Sequence, residues 1–377
     1  MRTIHLSAIG VAGFVLIASA VVARADGGYT VTDLTPSGDI NVYPIGGIGG
    51  GQIVGTGALS GGGADRPLLW TGPDHTLIDL IPSGYTFGDA YKTDGTHQVG
   101  IALSGRSQST YDAFLWSGAA ATGIKLTPDG YNNAFAVGLS GDTQIGWASP
   151  NGSDTDHALI WSGSAASAKD INPPGYNFSH ALGIGGGQIV GVAGTVDTTN
   201  GHAVIWSGPS YSTLTDLHPP TGFLRSVAQA TDGTHQVGVG EKNDADTAGH
   251  ALLWSGTATS VVDLHPSGFL NSIAVGLLGD LQIGWGYATD GTQHALLWHG
   301  TAAGAVDLDR YLPSNLIQAD ALGIDAAGDI YGWAADSNGI GHAVFWTPVP
   351  EPAALPIVAG LALLIRSRHR RRPSRSS

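Results

Sequence analysis

The chain has no cysteine among its 377 residues. No disulfide, thiolate metal site or cysteine nucleophile is available, so an exported fold would rest on its core alone. Charge is scarce too, at 12% Asp, Glu, Lys and Arg, and basic charge is scarcest. Residues 26 to 348 carry eight Lys and Arg against 29 Asp and Glu, a net charge of −21. That deficit counts against nucleic acid as a partner, because phosphate binding needs a basic surface. It favours solubility outside the cell and permits weak cation binding. Amphipathic helices of useful length are missing from the same region, as are GxSxG, HExxH and P-loop patterns. What is abundant is glycine, 58 residues without a collagen period, interleaved with short apolar runs. That combination points to many tight turns between short strands and to an all-β class.

A single phrase ending in Trp recurs seven times: RPLLW at Arg66, DAFLW at Asp112, HALIW at His157, HAVIW at His202, HALLW at His250 and His294, and HAVFW at His342. Successive Trp lie 46, 45, 45, 48, 44 and 48 residues apart. Before each phrase runs a strand such as Gln188-Ile189-Val190-Gly191, and before that one such as Ala181-Leu182-Gly183-Ile184. After it comes a strand ending in Asp-Leu-x-Pro, as at Asp216 to Pro219 and Asp263 to Pro266. Four short antiparallel strands per repeat, named A to D from the inside outward, make a propeller blade. The region from 29 to 34 begins with a D strand that has no A, B and C before it, and the region ending at Trp346 has no D after it. The spacing therefore predicts a seven-bladed β-propeller of four-stranded blades, with Tyr29 to Leu34 completing the last one. Blades one to three resemble four to six, which suggests a triplet duplication plus one blade.

His-Ala-Phe/Leu-x-Trp preceded by Gly-Gln-Ile-Val-Gly resembles the HAF family of extracellular repeats, over residues 29 to 347. That family implies a fold and an exported address, with no agreed chemistry. Blade two departs with Asp112 in place of His, and blade one with Arg66-Pro67 in place of His-Ala. The ends of the chain agree on export. Residues 1 to 25 have Arg2, an apolar stretch from Ile9 to Val22 and a small-x-small end, so they read as a signal peptide cleaved between Ala25 and Asp26 by way of the Sec machinery. A retained anchor is the alternative. The tail has Pro350-Glu351-Pro352, an apolar run from Ala353 to Ile365 and an arginine cluster. At about 1.5 Å per residue that run covers only some 20 Å of a bilayer core about 30 Å thick. It resembles a PEP-CTERM sorting signal, which implies recognition of Pro350, Glu351 and Pro352 by an exosortase, transient inner-membrane insertion and delivery to the surface or matrix of a Gram-negative-type bacterium. An ordinary C-terminal anchor is the alternative.

Five His share one blade position (His157, His202, His250, His294, His342), but equivalent positions in different blades stand too far apart to ligate one ion. A hydrogen bond across a turn or to the next blade is the reading for them. The seven repeat Trp should fill the space between blades. Trp147, Trp285 and Trp333 follow strand B in only three blades and are the candidates for a ligand-stacking platform. The B–C loops, at Asn151 to Asp156, Asn243 to Asp246 and Asp336 to Gly339, carry oxygen donors that suit Ca²⁺ or, equally, plain turns. No other cofactor is indicated. Arg225, His180, Asp89 and Asp320 lie near the starts of A strands and are candidates for the channel mouth.

These residues give a non-enzymatic surface or matrix module, binding a glycan or envelope protein, as the leading expectation. A secreted propeller hydrolase or lyase acting on polysaccharide is the alternative, and a structural spacer a third reading. Non-repeating polar residues gathered at one place would favour the enzyme.

Overall fold

The computed structural model describes residues 28 to 349, apart from 36–40, 44–46, 59–63, 73–74, 105–109, 196–200 and 243–248. Ala25, Asp26, Pro350, Glu351 and Pro352 lie outside the described residues. The described residues contain no α-helix, only strands and short 3₁₀ turns, and the strands form seven antiparallel sheets. Blade four shows the plan, with A at Phe178–Gly185, B at Gln188–Gly194, C at His202–Ser207 and D at Thr213–Asp216, paired in that order. Blade seven takes its outer strand from the start of the ring: Tyr29–Asp33 pairs antiparallel with Gly341–Pro348, Tyr29 opposite Pro348 and Asp33 opposite Val344. The ring is closed as the spacing predicts, and two strand edges that would template aggregation are paired instead.

The core lies between blades. All seven repeat Trp are at most 2% exposed. Trp254 of blade five packs with Val190, Ile205 and Leu217 of blade four, and Trp298 of blade six with Val237, Leu253 and Leu264 of blade five. Alternation along strand C puts one face of each sheet against the preceding blade and the other against the next, so every blade needs both neighbours.

The glycine closing the B-strand phrase of blades two to seven has a steric cause. A Cβ built on Gly191 would stand 1.9 Å from the His180 carbonyl oxygen, and on Gly100, Gly146, Gly238, Gly284 and Gly332 it would come within 2.0 Å of the corresponding A-strand carbonyl. Beside each of these close approaches strand A carries a β-bulge, as between Ala181 and Gly183 and between Ala321 and Gly323. The extra residue of the bulge (Tyr91, Val137, Leu182, Gln229, Val275 or Leu322) lines a central cavity of about 340 Å³.

Gly191→Ala is expected to destabilise the ring by about 3 kcal/mol or more, because neither the sheet backbone nor the added methyl can yield. Urea unfolding of the variant measures this, and a loss under about 1 kcal/mol would contradict the close approach.

Candidate active site

A residue at the start of strand C meets the last residue of strand D. His157 Nδ1 lies 2.7 Å from Asp170 Oδ2, and His202–Asp216, His250–Asp263, His294–Asp307 and His342–Asp33 repeat the contact at 2.8 to 2.9 Å. The five His are therefore cross-strand hydrogen-bonding groups, as the sequence indicates. The two departures are compensated. In blade one Arg66 Nε pairs with Asp79 at 2.6 Å, and in blade two the charges are exchanged, with Lys125 Nζ 2.7 Å from Asp112.

A second contact sits one step inward. The x of Asp-Leu-x-Pro reaches the backbone N–H that follows the C-strand His, directly through Thr35 and Thr127, or through a serine of the next A strand. Ser226 Oγ accepts from Ala203 N at 3.0 Å and bonds His218 Nδ1 at 2.9 Å, and Ser272 does the same with Ala251 and His265.

Blade one lacks this contact, since its x is Ile81 and Pro67 has no N–H; the seam between blades six and seven departs in another way. The x is Asp309, and Ala319 stands where the serine would be. Asp309 Oδ1 takes over the Ala295 N–H at 2.9 Å, while its Oδ2 is buried with no hydrogen-bond partner. Asp320, from strand A of blade seven, accepts a short hydrogen bond from Gln293 Nε2 of blade six. Burial pushes the Asp309 carboxyl up to about 7; Asp307 and Asp320 add to the rise, and Ala295 N–H and His294 oppose it. Burial also pushes Asp320 up to about 7, against the Gln293 bond. Asp320 adds to the rise of Asp309, and with both carboxyls pushed toward neutrality one can hold a proton to give while the other takes one.

His294, Asp307 and Asp309 bring donor atoms within 4.8 Å of one another. These are groups that a divalent cation accepts, but His294 uses Nδ1 on Asp307 and places Nε2 2.7 Å from Thr292 Oγ1. The same His–Asp pairing serves four other blades, so the cluster is a hydrogen-bonded network to which Asp309 has been added.

Of the sequence candidates, Asp320 belongs to this seam. The others do not join it. Asp89 accepts from the Tyr91 hydroxyl two residues along its own strand, His180 bonds Asp156 at 3.1 Å, and Arg225 pairs with Glu241. Trp147 is engaged in a stack with Phe135 and His180, at centroid distances of 5.0 and 4.5 Å. Trp285 meets Tyr287 edge-on. Trp333 stacks on Tyr43 and is the cross-strand neighbour of Asp320. All three are half-buried. In the third B–C loop Asp336 Oδ1 accepts from Asn338 N and Ile340 N, holding its own turn, while Asn243 to Asp246 lie outside the described residues. Asp309 was missed in the sequence because its Asp-Leu-x-Pro phrase is stretched to Asp307-Leu308-Asp309-Arg310-Tyr311-Leu312-Pro313.

No family model matches the chain, and no curated protein matches it. Solved structures do. A puromycin hydrolase is matched at 12% identity and TM-score 0.52 over 84% of this chain and 52% of its own. A prolyl endopeptidase is matched at 12% and 0.56 over 81% and 47%, and a Pyrococcus horikoshii acylaminoacyl peptidase at 10% and 0.50 over 78% and 49%. This chain spans about half the length of each, and likeness at such identity establishes the propeller fold alone. The expectation of a non-enzymatic module is nevertheless corrected here. The propellers that the ring resembles at this level belong to proteins named as enzymes, and three residues that depart from the repeat, Gln293, Asp309 and Asp320, meet at one seam.

Both seam carboxyls titrate near 4 in an unfolded chain and near 7 in the fold. Their proton uptake supports the fold fully below about pH 4 and is lost as pH rises through about 7. The melting temperature should therefore be higher at pH 5 than at pH 8. Asp309→Asn with Asp320→Asn should shrink that difference, as read by calorimetry at the two pH values.

Proposed function

We propose that the protein is an exported propeller hydrolase or lyase acting on an envelope or matrix polysaccharide, with Asp309 and Asp320 as its acid–base pair. The observation that carries the reading is the seam itself. In a ring whose polar contacts recur in most blades, one place exchanges a neutral relay for two largely desolvated carboxyls with pKa values near 7. Export rests on the signal-like N-terminus and the PEP-CTERM-like tail.

In this reading the carboxyl that is protonated gives its proton to the leaving oxygen of a glycosidic bond. The ionised partner activates water for hydrolysis, or removes a ring proton if the bond is broken by elimination. Gln293 fixes Asp320 by its hydrogen bond, and the Ala295 N–H fixes Asp309. His294, held by Asp307, supports the ionised state of Asp309. Trp333, across the strand from Asp320, supplies an aromatic face of the kind sugars stack on. Peptide-bond hydrolysis, the activity in the names of the prolyl endopeptidase and the acylaminoacyl peptidase, is not proposed, because the seam has carboxyls and no serine beside an unengaged histidine.

Reducing-end release from a panel of bacterial exopolysaccharides tests the proposal, with ultraviolet absorbance of an unsaturated product marking the lyase. The rate should peak near pH 7. Asp309→Asn and Asp320→Asn should each lower kcat by about 10²- to 10⁴-fold. Activity that survives both substitutions, or none on any glycan, would refute it.

A further inference from the structure

The wall of the central cavity follows a rule: in the A strands of blades two to seven an Ala is followed by the bulged residue, and in the third place stands, with one exception, a residue of minimal size. Gly138, Gly183, Gly276 and Gly323 hold that third place and Ala230 holds it in blade five, with Gly47 beside them in blade one. Space explains it, since a Cβ on Gly183 would stand 2.5 Å from the Gln229 carbonyl oxygen. Blade two is the exception, with Lys92 in the third place. Its stem lies across Gly47, where a Cβ would meet Lys92 Cδ at 2.3 Å. A glycine in the neighbouring blade thus makes room for a lysine in this one.

Lys92 is the one charged side chain among the described residues lining the cavity. Among the described residues it forms no ion pair and no hydrogen bond. Burial lowers its ammonium below the usual lysine value. A second exception stands on the same wall. Strand B of blade seven has Tyr331 where other blades have Val190, Val237 or Ile283. Tyr331 lines the cavity, is 1% exposed, and its hydroxyl has no partner. Its ring, too, occupies the space left by a glycine, with Cε1 1.9 Å from where a Cβ on Gly323 would be.

A cation on a neutral wall that also carries an unused hydroxyl calls for a counter-charge that can accept hydrogen bonds. Strand A has one hydrogen-bonded neighbour in each blade, so its inner edge turns backbone N–H and C=O groups toward the cavity. The occupant must therefore be hydrophilic. The net charge of −21 on the ring repels polyanions. We propose that the central cavity binds a small hydrophilic organic carboxylate, one group per ring, with Lys92 as its counter-charge and Tyr331 as a hydrogen-bond donor. The site is distinct from the Asp309–Asp320 seam and stands whether or not that seam is catalytic.

Calorimetric titration of the full chain with D-glucuronate tests it, with D-glucose as the neutral control and inorganic phosphate as a rival source of negative charge. Glucuronate should bind one to one and glucose should not. Lys92→Ala, which restores the small residue of blade five, and Lys92→Met, which keeps the stem, should each weaken binding at least tenfold. Tyr331→Phe should weaken it severalfold, and Asp320→Asn should leave it unchanged, which separates this site from the proposed catalytic one. The proposal is overturned by unchanged affinity in folded Lys92→Ala and Lys92→Met, by equal binding of glucose, by tighter binding of phosphate, or by no binding to the unaltered chain.

Discussion

Six glycines in the B strands sit where no Cβ fits, each against an A-strand carbonyl oxygen within 2.0 Å of the missing atom. That close approach is the constraint from which the rest of the ring follows. It seats the bulge of strand A, and the bulge releases one residue per blade from the sheet and turns it to the axis. The lining of the central cavity follows from the same contact. Glycine is permissive of conformation elsewhere in the chain, but here it is required for clearance.

The architecture was legible because its signals repeat. Seven Trp in phase, a D strand at the start and no D strand at the end led to a closed ring, and the pairing of Tyr29–Asp33 with Gly341–Pro348 is what that count required. Two features were visible as letters without their reasons. The Gln of the Gln-Ile-Val-Gly phrase accepts the N–H of the C–D turn, as Gln98 does from Gly118 and Gln236 from Gly256 at 2.8 Å. Arg66 and Asp112 looked like losses of a repeated histidine, yet Asp79 and Lys125 complete their pairs. Both contacts cross a sheet, and sequence separation conceals which residues face each other.

The candidate site was harder to read because it is assembled from departures. Asp320 was visible as a polar residue at the head of an A strand, but its meaning depends on Gln293 and Asp309 from the preceding blade. Asp309 does in part what Thr35 and Thr127 do, offering one oxygen to a backbone N–H, and only the second oxygen exceeds the structural need. A residue that does its repeat's duty and carries a further group escapes a search for residues that do neither. Lys92 was hidden differently, since the rule it breaks is a spacing of small residues that stands out only once the bulge is known.

The closing strand pair has a mechanical side. Tyr29 lies opposite Pro348, and Val349 N donates to Gly28 O at 3.0 Å, so the chain enters and leaves the ring at the same end of one ladder. Tension applied between these two points would load that ladder bond by bond in peeling geometry, beginning at Gly28 and Val349, instead of shearing all its bonds at once. If both ends are tethered to separate bodies, the ring gives way at blade seven under a modest force. Tethered at one end only, it carries no load through this pair at all.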